Sequence, residues 1–279
     1  MKDRSVLSVT VRRFLIAASV IAGVIVFQIA TSSSDHGDAA TDDRRIIQRQ
    51  AVQDLVREAF GDHYRIGPVH AEPCDDARCT ELSFSLDGGG TASLEWPTKR
   101  HLNVLLEESS TPGPHSYPVP GSKTPRSAED AYRIAFTYMR DHYPWAAAAT
   151  SHDTYPVGDA AAFGWMTSWR FMAGDVLMPR MLDVEINRAG RVSQIDVTRG
   201  PTHIDLPAAK IDKKQAEQRI QERTGTAAEA VTLKANDRGH GWRAEWIVNT
   251  NSSKNDSQAS TYWVDALTGT VYDRPYPVR

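Results

Sequence analysis

From Ser127 to Asp273 the chain runs twice through one order, a capped helix followed by alternating apolar and polar runs broken by glycine turns. That order constrains the fold more than any other feature, because a 3.6-residue period and a two-residue period each need an apolar face to pack against. In the first copy, "PRSAEDAYRIAFTYMRDHYP" starts with Ser127 as a helix cap. Ala131, Ile134, Ala135 and Tyr138 then form an apolar stripe that ends before Pro144. "FGWMTSWRFMAGDVLMPRMLDVEINRAGRVSQIDVT" follows as three predicted strands, with turns at Ala173–Asp175 and Arg188–Gly190. In the second copy Asp212 caps "AAKIDKKQAEQRIQERTG" and Gly225 stops it. "GWRAEWIVNTN", a polar loop and "TYWVDALTGTVYD" follow. Aligning Ala131 with Ala216 sets Ser127 opposite Asp212, Trp169 opposite Trp242, and the Asn187–Gly190 turn opposite the Asp265–Gly269 turn. The implied unit is a helix laid over one face of an antiparallel meander.

Residues 44–108 show the same order as a first α+β module. Ile46, Ile47, Val52, Leu55, Val56 and Phe60 fall at helical spacing before Gly61, a hairpin turns at "DGGG", and "HLNVLLEE" adds a strand. Residues 109–125 hold five prolines and two glycines and read as a linker to the units at 126–200 and 208–275.

The N-terminus concerns location rather than fold. Lys2, Arg4, Arg12 and Arg13 precede an uncharged run, Phe14–Ala30, and a small, acidic stretch follows over 31–43. The run is of membrane-spanning type at the short end, and the basic flank puts residues 1–13 in the cytoplasm. The expectation is a single-pass cell-membrane protein, anchored through 14–30, with a flexible stalk at 31–43 and the remainder extracytoplasmic. Cleavage as a signal peptide, giving a secreted or periplasmic chain, is the alternative. An oxidising compartment favours a disulfide between Cys74 and Cys79; a metal site using His70, Cys74, Cys79 and Asp75 or Asp76 is the other reading.

In the stretch "YWVDALTGTVYD", Asp265 and Thr268 flank a reversal and Gly269 supplies positive φ, so the residues read as a structural turn. No His-Glu-x-x-His pair, nucleophile elbow or phosphate loop is present. The expectation is therefore no catalytic residue, no cofactor and no metal. A formal charge of −3 without a basic stripe excludes nucleic acid as an obligatory partner. Trp165, Trp169, Trp242, Trp246 and Trp263 lie on predicted strands as core residues or, where exposed, as binding aromatics.

The capped helix, the tryptophan-bearing middle strand and the closing "WVDALTGTV" resemble the PepSY and YcdB/YcdC-like families of exported proteins over roughly residues 122–275. The resemblance implies an α+β fold of repeated helix-plus-meander units behind the N-terminal transmembrane helix. It also implies a non-enzymatic binding or regulatory role toward a peptidase or other envelope protein or peptide. A structural protein of envelope or surface-polymer assembly is the alternative role.

Overall fold

The computed structural model describes residues 39–74, 79–106, 115–238, 241–250 and 260–273. In chain order these begin with α1 (Ala39–Phe60), β1 (Ile66–Pro73), β2 (Thr80–Leu86), β3 (Thr91–Trp96), β4 (His101–Leu105) and β5 (Tyr117–Pro118). Next come α2 (Ala128–His142), β6 (Ser151–Val157), β7 (Gly164–Ala173), β8 (Val176–Asn187) and β9 (Arg191–Thr198). The last elements are α3 (Lys213–Thr224), β10 (Ala228–Asp237), β11 (Trp242–Thr250), β12 (Ser260–Asp265) and β13 (Val271–Tyr272).

All thirteen strands belong to one mixed sheet. Eight of them run antiparallel as β1-β2-β3-β4-β9-β8-β7-β6, and β5 adds to the start of β9. β8 outruns β9. Past the end of that pairing, Leu177 meets Lys234 of β10 in parallel, and β10-β11-β12-β13 continue antiparallel from there.

Alternation decides which face is covered. The register row Leu82–Leu94–Leu102–Val197–Leu182–Trp169 crosses six strands, and each of its side chains is buried. Val52, Val56 and Phe60 of α1, with Ala131, Ala135 and Met139 of α2, complete that core. Each fully buried aliphatic side chain contributes about 1.5–3 kcal/mol. Tyr138 of α2 donates to the carbonyl of Ala59 at 2.9 Å, which satisfies an orphan group at the end of α1. In the C-terminal region α3 buries Ala216 and Ile220 against Val231, Val248 and Val264, a much smaller core. A reciprocal cap at Asp212 and Gln215 fixes its start, and Gly225 in the left-handed conformation ends it.

Three expectations are corrected. The chain is mostly β, with three α-helices among the described residues, and is not a repeat of α+β helix-plus-meander units. The strand runs are fused at their edges: β4 pairs with β9 over five residues, and β10 joins β8. A strand edge is a row of unpaired N–H and C=O groups, and these edges find their partners in one another. Next, no helix among the described residues is long and apolar enough to cross a membrane. The anchor expected at 14–30 lies outside the described residues, and the single-pass membrane localisation built on it is not supported. Lastly, Ile46 and Ile47, read as part of the apolar stripe of α1, are 65% and 58% exposed.

Within the proline-rich stretch, residues 115–125 are stitched to the fold. The Arg191 guanidinium donates to the Ser116 carbonyl, Asn187 donates to Ser116 Oγ at 3.1 Å, and Val119 is buried. The Cys74–Cys79 disulfide is formed and ties β1 to β2. Both thiols are thereby consumed, which removes the alternative metal site. Among the described residues no group of His, Cys, Asp and Glu is placed to hold a metal ion.

Candidate functional site

Directly opposed residues of antiparallel strands share a face. One step along from the buried row, a second row crosses the sheet on the side away from α1 and α2: Ser83, Ser93, Asn103, Asp196, Asp183 and Ser168. His70 and Asp153 stand at its two ends. All its middle members are short and polar. The strands that carry it alternate between buried and part-exposed positions, the pattern of a sheet covered on one face.

The row breaks a rule of sheet design, because Asp183 and Asp196 are directly opposed like charges. Asp183 is answered by a two-pronged ion pair from Arg170, at 2.6 and 2.9 Å. Asp196 is not answered so well. Its Oδ1 is buried and takes no hydrogen bond, although His101 Nδ1 lies 3.5 Å away; its Oδ2 receives a long 3.5 Å bond from Asn103. Burial, helped by Asp183, holds the Asp196 carboxyl above its usual range against the pull of His101, Asn103 and Arg170. Burial also raises the Tyr155 phenol beside this cluster.

A cavity of about 290 Å³ opens next to Asp196, where β9 ends and β10 arrives on the same side of β8. Pro179 lies in the gap between the two pairings, and having no N–H it leaves no donor unpaired there. Gly200 passes so close that a Cβ would stand 2.7 Å from Pro179 Cγ. His101, Thr198 and Lys234 line the polar wall, with Trp242 and Met181 on the apolar side. Burial, then repulsion from Arg170, lowers the Lys234 pKa, with Asp196 opposing. A wider hollow of about 930 Å³ lies between residues 119–126 and α2. Its charges are those of an exposed, satisfied helix start: Asp130 accepts from Arg126 N and pairs with Arg133. The smaller cavity is therefore the better candidate.

The residues singled out in the sequence fall elsewhere, with one exception. Asp265 Oδ1 accepts from Leu267 N at 2.7 Å and Thr268 N at 2.9 Å, Thr268 Oγ1 lies 2.9 Å from Thr270 Oγ1, and Gly269 has φ +76°. Every one of these contacts is local to the turn. Trp169 is buried and Trp165 packs on the same core. Trp246 donates to the Ile211 carbonyl at 2.8 Å, and Trp263 lies half-buried across from Ile247 and Tyr272. Of the five, Trp242 lines the cavity. His101, Arg170, Asp183, Asp196 and Lys234 carry no signal in the sequence because each, taken alone, is the polar member of an alternating strand. No family model matches the chain, and neither a curated protein nor a solved structure matches it.

Proposed function

We propose that this chain is a non-catalytic binding protein that holds a protein or peptide partner on the face of its sheet away from α1 and α2. The observation that supports this reading is the continuous row of short polar side chains from Ser83 to Ser168, with Asp196 poorly answered within it. Short polar residues with flanking ionic groups leave room for a partner's side chains and supply hydrogen bonds to them. A regulated peptidase is the partner class that the PepSY resemblance implies.

Ser93→Arg and Asn103→Arg test the reading, since both positions are half-exposed and central to the row. Each variant should keep its thermal melt within about 0.5 kcal/mol of the parent. Partners captured by the parent chain are purified and titrated calorimetrically against all three proteins. A stoichiometric complex weakened at least about tenfold by either arginine is the expected outcome. A complex indifferent to both substitutions would place the interface elsewhere. Turnover of a substrate that Asp196→Asn abolishes would replace binding with catalysis.

A further inference from the structure

We propose that the cavity between β9, β8 and β10 binds a small organic carboxylate, with the Lys234 ammonium as its counter-ion. The site stands apart from the partner-binding role of the open face and does not depend on it.

Glu95 and Asp237 line the cavity, and both face Arg100, at 3.2 and 4.0 Å. Arg170 is committed to Asp183. Glu245, directly across the strand from Lys234, is held by Arg238 and by Asn236. His101 stands against Asp196 at 3.5 Å. What remains is Lys234, which makes no hydrogen bond or ion pair among the described residues. Burial depresses its ammonium, and Arg170 repels it. Lys234 is half-buried, and a partly desolvated cation without a partner is costly; a local rule broken without compensation points to a functional position. An anion entering the cavity supplies the missing acceptor.

The walls narrow its chemistry. Trp242, Met181 and Pro179 offer an apolar side, while the Thr198 hydroxyl, 3.2 Å from His101 Nδ1, offers a hydrogen bond. A single uncommitted ammonium, with Glu95 and Asp237 nearby, suits a monoanion rather than a phosphate dianion. At about 290 Å³ the space lies at the small end of ligand pockets. A carboxylate with one apolar group fits this description, whether it is a free acid or the C-terminal end of a peptide.

Isothermal titration of the full chain with N-acetylphenylalanine tests the proposal, against its uncharged amide, inorganic phosphate, and a tetrapeptide ending in phenylalanine. Binding of the acid, weakened about 10- to 100-fold in the amide and in Lys234→Met, is expected. Tighter binding of the tetrapeptide would identify a chain end as the source, and equal or weaker binding a free acid; both uphold the carboxylate. Lys234→Met removes an unpaired charge, and its thermal melt checks the fold. Should that variant fail to fold, acetic anhydride labelling of the parent chain decides: saturating acid must protect Lys234 from acylation. Absence of acid binding, equal binding of acid and amide, phosphate binding as tight as the acid, or unprotected Lys234 would overturn the proposal. Ser93→Arg should leave acid binding intact, so failure here and failure of the partner-binding reading are separable.

Discussion

Two carboxylates, one in each region of the sheet, are treated in opposite ways. Glu245 in the C-terminal strands is fully buried, paired with Arg238, and accepts from Asn236 at 2.8 Å. The Arg238 guanidinium lies 3.6 Å above the centre of the Tyr272 ring. Asp196, in the large eight-stranded part, faces another carboxylate across the strand and keeps an oxygen without a donor. The same helix-and-strand elements thus hold one charge for stability and leave another poorly answered. The difference teaches where to look for function: at the charges the fold leaves poorly answered, Asp196 on β9 and Lys234 where β10 meets β8.

Cutting the satisfied pair should have the largest effect. Arg238→Met leaves Glu245 buried without its cation, and breaking a buried pair in this way costs about 3–5 kcal/mol. Arg170→Met breaks a pair whose side chains remain 20% and 15% exposed, so water reaches Asp183 and a smaller cost, about 1–2 kcal/mol, is expected. Urea melts of the two variants measure the contrast. Equal losses would mean that the two regions do not differ in how they hold charge.

Next come the two matched turns. Asn187 Oδ1 accepts from Ala189 N and Arg191 N at 3.0 Å, much as Asp265 Oδ1 does in its own turn, and Gly190 and Gly269 both have positive φ. What presses on the glycines differs. A Cβ on Gly190 would lie 2.4 Å from the Lys123 carbonyl oxygen, which is backbone. On Gly269 it would meet the Arg219 guanidinium at 2.7 Å, the free end of an exposed side chain. Gly190→Ala should therefore cost about 3 kcal/mol, combining left-handed strain with overpacking. Gly269→Ala should cost about 1 kcal/mol, the strain alone. Melts that rank the two in reverse would show that the Pro-rich segment yields more easily than an arginine.

Both turns were legible in the sequence, as were the helix starts, because each is fixed by residues within four positions of one another. Ser127 Oγ accepts from Asp130 N at 3.2 Å, and Asp212 accepts from Gln215 N at 2.8 Å. The merged sheet was not legible. "HLNVL" and "RVSQIDV" alternate like every other strand, and nothing local says that Asn103 will sit beside Asp196. The candidate site shares that blindness: His101, Asp196 and Lys234 come from three strands whose meeting depends on the β4–β9 and β8–β10 pairings. The exposure of Ile46 and Ile47 was hidden for a related reason, since helical spacing shows a stripe but not how far the sheet beneath it extends.

The smallest effect bears most directly on the comparison, because its sign is opposite to the others. The Asp196 carboxyl titrates above the usual 3.8 in the folded chain. Between 3.8 and that raised value the folded state binds more protons than the unfolded state, so stability falls as pH rises through the window and stays reduced above it. Asp196→Asn removes the titration and the like-charge contact with Asp183. The variant should be more stable than the parent at pH 7, by about 0.5 kcal/mol, the scale of an opposed like-charge pair. The advantage should shrink as pH is lowered through the window and vanish once Asp196 is protonated in both states. Thermal melts of parent and variant from pH 3 to pH 7 give the curve. A variant that is less stable than the parent at pH 7 would mean that Asp196 is as well paired as Glu245, and that the open face holds no charge kept for a partner.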